Sequence, residues 1–116
     1  MELTKEPSLT PAGDCIIGVE CEKACADLDN RLKDSLRNEK GIIITLECNG
    51  IKDIVRAYGH PELTLTDPTS LVIRRSSFIC PRTICVRADK AAADLDRNLI
   101  KELRKGGKLT VELSCP

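Results

Sequence analysis

The sequence predicts a β-rich α+β fold, with two duplicated strand–helix–strand units forming a mostly antiparallel sandwich or barrel that carries two helices. Three observations predict it. First, the chain repeats itself with a shift of 67 residues: Lys23, Ala24, Ala26, Asp27, Leu28, Asp29 and Leu32 recur as Lys90, Ala91, Ala93, Asp94, Leu95, Asp96 and Leu99. Second, the repeat extends into flanking apolar alternations. Ile17 and Val19 fall on Ile84 and Val86, and Ile42, Ile44, Leu46 and Cys48 fall on Leu109, Val111, Leu113 and Cys115. Third, Asn49-Gly50 separates two apolar stretches, which is a strong hairpin signal. A chain of 116 residues suits one domain, with repeat 1 at about 1–48 and repeat 2 at about 49–116.

Each element follows from its local pattern. Pro11-Ala12-Gly13-Asp14 reads as a turn, and Cys15, Ile17, Val19 and Cys21 then alternate onto one face of a strand. Leu28, Leu32 and Leu36 recur at helical spacing, with Ala24 one step earlier, as the core stripe of a first helix. Ile42–Cys48 is a strand that should pair antiparallel with Ile51–Ala57 through Asn49-Gly50. Leu63 and Leu65 alternate with Thr64 and Thr66 as a further extended stretch. Asp67-Pro68-Thr69-Ser70 is a turn with Asp at its first position and Pro at its second. Ser70–Arg75 is the return strand, and a bend at Cys80-Pro81 leads into the strand of the second copy. Asp89 is placed to cap the second helix, with Asp94 and Asp96 near its start, where negative charge is favoured. Leu95, Leu99 and Leu103 repeat the stripe, and Gly106-Gly107 ends the helix.

The two copies are unequal. The second owns the segment from Ile51 to Arg75, whereas the first has only Met1 to about Pro11 in that place. The difference is about one strand hairpin. A sheet lacking it presents an unpaired edge, and unpaired edges recruit other chains. A homodimer through that edge is the expected assembly.

"LTPAGDCIIGVECEKACADLD", "AYGHPELTLTDPTSLVIRR" and "CPRTICVRADKAAADLD", in this order, resemble a family of small archaeal proteins known as domain of unknown function 371. The resemblance covers nearly the whole chain. It implies an archaeal, β-rich protein with two helices, and it assigns no reaction. Members typically carry a segment like Tyr58–Pro61 ahead of the first copy as well, which this sequence does not show, so the resemblance implies either a start placed too late or a short form.

Composition narrows the function classes. Eighteen basic and 18 acidic residues balance, which removes the usual argument for nucleic acid or an anionic membrane as partner. One Phe, one Tyr and no Trp leave little to stack bases on. No apolar run reaches membrane length and the start does not read as a signal peptide, so a cytoplasmic protein is expected. The seven cysteines include no C-x-x-C pair, and the single histidine lies near none of them, so no metal site or cofactor is expected. Most of the cysteines fall on core phases and read as buried thiols. Cys80 and Cys85, on either side of Pro81, are the pair in which a reactive thiol is weighed, since Arg82 and Arg87 nearby would favour a thiolate.

Seven side chains are candidates for contact with an unknown small ligand or protein: Asp14, Lys23, Asp27, His60, Asp67, Lys90 and Asp94. Asp14 enters a strand, where it serves a turn or faces a ligand at a sheet rim. Lys23 with Asp27 and Lys90 with Asp94 sit four apart on equivalent helix starts, as surface pairs or as two arms around one anion. His60, in Gly59-His60-Pro61, is a turn residue or a general base. Asp67 is near enough in sequence to share a loop with it. Arg74, Arg75, Arg82 and Arg87 form a modest basic cluster that would suit a phosphate or a solvated sheet face. No assembled catalytic motif is present. The sequence therefore favours a small binding or interaction module, with a small hydrolase or lyase using His60 and a nearby Asp as the alternative.

Overall fold

The structure, a computed structural model of the chain, describes residues 1–4, 16–18, 28 and 30–114. In chain order these form β1 (Glu2–Thr4), β2 (Ile16–Gly18), α1 (Asn30–Leu36), β3 (Gly41–Cys48), β4 (Ile51–Tyr58), β5 (Ser70–Ile73), β6 (Thr83–Cys85), a 3₁₀ turn (Ala92–Asp94), α2 (Arg97–Arg104) and β7 (Thr110–Ser114). The strands make two sheets. One has the order β4-β3-β7 and is antiparallel throughout. The other has the order β2-β1-β5-β6, antiparallel between β1 and β5 and parallel at each outer pair. The α+β class with two helices is therefore as the sequence predicts. The barrel is not formed. The sheets touch at one corner through a single bridge, Tyr58 to Val86, and no ladder joins the opposite corner among the described residues.

The hairpin forms in the expected register, from Cys48 opposite Ile51 to Gly41 opposite Tyr58. Asn49 and Gly50 both take left-handed backbone conformations, φ 51° and 83°, as a two-residue type I′ turn requires. Ile42, Ile44, Leu46 and Cys48 point inward from β3 and are buried. They join Leu36, Leu99, Val55, Ile73 and Ile84 in one core shared by both sheets and both helices. All four residues of β5 and all three of β6 are buried, including the polar Ser70 and Thr83, so both faces of these strands are covered.

Three segments depart from the sequence reading. Leu28, read as part of the first helix's stripe, is buried but lies outside α1, which starts at Asn30. The second helix starts at Arg97, not just after Asp89. Asp96 accepts from the Asn98 and Leu99 N–H groups and so fixes the N-terminus, while the 3₁₀ turn before it is closed by Asp94, which accepts from Ala91 N–H. The helix ends as expected. Gly106, at φ 87°, donates to Leu103 and Gly107 donates to Glu102, the paired bonds of a Schellman cap.

The Leu63–Thr66 stretch is a loop, not a strand. Both leucines are buried, so the alternation reflects burial, but Leu65 sits at φ 55° and the backbone makes no ladder. Its carbonyls are held instead by Arg37, which donates to Leu63 and Thr64, and its end is held by Pro81, whose carbonyl accepts from Thr66 and Asp67. Among the described residues, no helix is long and apolar enough to cross a membrane.

Candidate functional site: the edges of the three-stranded sheet

The two edges of the β4-β3-β7 sheet are treated differently. Because Cys48 and Ile51 close a two-residue hairpin, alternate residues of β4 bond to β3, leaving Lys52, Ile54, Arg56 and Tyr58 to face outward. Those of Ile54, Arg56 and Tyr58 are occupied. Tyr58 and Val86 exchange two backbone bonds of 2.9 Å. Arg56 donates to the Asp89 carboxylate at 3.0 Å, and Asp89 N–H returns a bond to the Arg56 carbonyl at 2.9 Å. Ile54 N–H donates to Asp53 at 2.8 Å, and its carbonyl accepts from the Lys90 ammonium at 3.0 Å.

Asp53 is the hub of this cover. One carboxylate oxygen also takes the Lys90 ammonium and the other takes Asp96 N–H, so the carboxylate links β4 to the start of α2. Burial pushes its pKa up. The Lys90 hydrogen bond, the Asp96 and Ile54 N–H groups and the Lys90 charge outweigh that and hold it below the ordinary value.

β7 has no such cover among the described residues. Thr110, Glu112 and Ser114 lie opposite Glu47, Thr45 and Ile43 of β3, the residues of β3 that do not bond to β4. By the same alternation, the N–H and C=O groups of Val111 and Leu113 face the open edge. Their side chains, with Leu109, point toward the core yet are only half-buried. β3 buries all its inward residues over the same core and β4 buries Val55 and Ala57, whereas no inward residue of β7 is fully buried, so the apolar layer thins under this edge. An arrangement of this kind accepts an added strand.

The sequence-derived candidates are placed as follows. Asp14, Lys23 and Asp27 lie outside the described residues. His60 Nδ1 accepts from Glu62 N–H at 3.0 Å, and its own N–H donates to the Leu36 carbonyl at the end of α1. Asp67 accepts from Thr69 and Ser70 N–H, both at 2.8 Å, and shapes the turn into β5. Lys90 holds Asp53 and Ile54. Asp94 closes its own turn and lies 3.7 Å from Arg75. Lys90 and Asp94 therefore turn to different partners, and no bond joins His60 to Asp67. The four arginines also disperse. Arg74 bonds Thr83, Arg75 meets Asp94, Arg82 meets Glu2 at 3.5 Å and Arg87 covers the Tyr58 ring at 4.4 Å. Asp53 was missed. Its one sequence signal is a charge on the inward phase of an otherwise apolar strand.

Of the described thiols, Cys48 and Cys85 are buried and Cys80 is part-exposed. Burial pushes the Cys80 thiol up. Hydrogen bonds from the Thr83 hydroxyl, the Arg82 backbone and the Arg74 guanidinium, with the Arg74 charge, bring it down to about 7. The main cation is Arg74, at 3.2 Å from the sulfur, rather than the neighbouring Arg82 or Arg87 side chains. Arg74 is itself fixed by Thr83 at 2.9 Å and by the Phe78 ring at 4.8 Å. Among the described residues, no group of three His, Cys, Asp or Glu side chains is arranged to hold a metal ion.

Comparison with known proteins agrees with the resemblance seen in the motifs. An uncharacterised protein of Methanocaldococcus jannaschii is 44% identical over 113 residues, which are 97% of this chain and 84% of that relative. The family model described as a domain of unknown function, DUF371, matches residues 1–116. The chain belongs to the DUF371 family.

Proposed function

We propose that this protein is a binding module that works by strand addition at the open edge of β7, and that a homodimer is its simplest assembly. The carrying observation is the contrast between the two edges of one sheet. The chain spends Asp53, Asp89, Lys90 and the Val86 backbone on covering β4, while among the described residues β7 is left with unpaired groups above a half-buried apolar row.

The proposed duplication supports the same edge. β2 and β6 lie 67 positions apart, and each lies parallel beside its inner strand with a register shift at the corresponding step. On that correspondence β7 matches β3, and β3 carries β4 on the equivalent side. The strand wanting beside β7 is therefore one with the pattern of β4. Small-ligand binding through His60, Asp67, Lys90 and Asp94 is the weaker reading, because each of those side chains already serves a local bond. Among the described residues, the hydrolase alternative gains no carboxylate partner for His60.

The test uses a synthetic peptide with the sequence of β4, Ile51–Tyr58, added to the purified protein diluted until light scattering shows a monomer. Residue-resolved amide exchange should show new protection at Val111 and Leu113 and no change at Thr110 and Glu112, which already bond to β3. Saturating peptide that leaves the Val111 and Leu113 amides as exposed as before refutes strand addition.

A further inference from the structure

The occupant of the β7 edge can be specified further, on the reading that the edge accepts a strand. We infer that it is β7 of a second copy, paired antiparallel about a two-fold axis through Val111. An isologous pair places the same strand on both sides, so its register is limited to positions where a residue on one face meets a residue on the same face. Three registers meet that condition near the middle of β7, and the one centred on Thr110 falls away because it would set Leu113 against Gly107, whose N–H already closes the helix on the Glu102 carbonyl. Two remain. One centres on Glu112 and sets Glu112 directly opposite its copy, with like charges at the closest spacing of the ladder. The other centres on Val111. It sets Leu109 opposite the partner's Leu113 and Thr110 opposite the partner's Glu112, and it brings Lys108 diagonally to the partner's Glu112.

Charge thus selects the Val111 register. Backbone alternation fits it as well. Val111 and Leu113 are the residues whose N–H and C=O groups face outward, so a pair centred on Val111 makes its hydrogen bonds at Val111 and between Leu109 and Leu113. The half-buried Leu109, Val111 and Leu113 of both copies become one continuous apolar row, and the two sheets join into one of six strands, β4-β3-β7 followed by its mirror order. Each copy supplies the other with what β4 supplies to β3.

The experiment measures dimer dissociation by light scattering after size exclusion, over a concentration series, for the wild type and three variants. The wild type should dimerise at or below about 50 µM, a modest affinity for an interface of this size. Lys108→Glu sets two like-charge diagonals across the axis, as does Glu112→Lys. Each should weaken the dimer by at least about fivefold, the effect expected for two reversed cross-strand pairs. The double variant Lys108→Glu/Glu112→Lys restores both diagonals and should return to within about twofold of wild type. Both residues are exposed, so circular dichroism should show unchanged folding in all three. Three results overturn the inference: a dimer indifferent to both single variants, a double variant no better than the singles, or a monomer throughout the series. A monomer that still takes up the β4 peptide overturns only the self-pairing. A monomer whose Val111 and Leu113 amides are already protected overturns strand addition too, because the chain's own residues then cover the edge.

Discussion

Replacing Asp53 tests whether the covered edge is held by one carboxylate. Three donors meet it: the Lys90 ammonium, Ile54 N–H and Asp96 N–H, the last two at 2.8 Å. The side chain is 12% exposed. A hydrogen bond to a charged group contributes roughly 1.5–3 kcal/mol, less where water can replace the lost partner. Both N–H groups lie at the surface and regain water after truncation. The three bonds together therefore come to about 2–3 kcal/mol, not their full sum. Asp53→Ala should lower the melting temperature by about 8–12 °C in a domain of this length. Asp53→Asn keeps one acceptor oxygen and should lose about half as much.

The sign with pH follows from the lowered pKa. A carboxylate held below its unfolded value of 3.8 stabilises the fold above that value, and the contribution is lost as pH falls through the folded pKa. The gap between wild type and Asp53→Asn should be full at pH 7 and shrink in acid below the unfolded value. Thermal melts followed by circular dichroism at both pH values measure it. A gap of less than about 1 kcal/mol at pH 7, or one that persists undiminished in strong acid, refutes the assignment of Asp53 as the hub.

Two further predictions concern packing and chemistry. Gly59 has no room for a side chain, since a Cβ would lie 2.2 Å from the backbone oxygens of Leu36 and Asn38. Gly59→Ala should therefore cost at least about 3 kcal/mol by chemical denaturation, and a variant within about 1 kcal/mol of wild type contradicts the close approach. Cys80 should alkylate with a midpoint near pH 7, and Arg74→Met should move that midpoint up, as read by site-resolved mass spectrometry. A profile unchanged by Arg74→Met removes the guanidinium as a cause.

The hairpin was the most legible part of the fold. Asn49-Gly50 specifies a turn chemistry that only a few residues satisfy, and the alternation of Ile42, Ile44, Leu46 and Cys48 specifies which face turns inward. Both are local, so the sequence carries them directly. The helix stop at Gly106-Gly107 is legible for the same reason. The helix start was not, because Asp89, Asp94 and Asp96 are all good caps by residue type. Which one caps the helix depends on whether another segment claims the others, and β4 claims Asp89. Leu63 and Leu65 misled in a related way. Alternation reports burial, and a loop pinned by Arg37 and Pro81 can bury alternate residues without a ladder.

The candidate site divides along the same line. The unequal copies read in the sequence raise the expectation of a sheet edge that lacks a strand. Which strand carries that edge was not, since neighbour order in a sheet is set by long-range pairing. Lys90 stood out in the sequence because it repeats Lys23, but its partner lies 37 residues earlier, on the covered edge of another strand. By itself, the sequence determined the hairpin turn, the inward face of β3 and the helix stop, because each is fixed by neighbours along the chain. Only the tertiary structure decided that β4 is closed and that, among the described residues, β7 is left open, because the groups that close an edge are brought to it by chain segments tens of residues away.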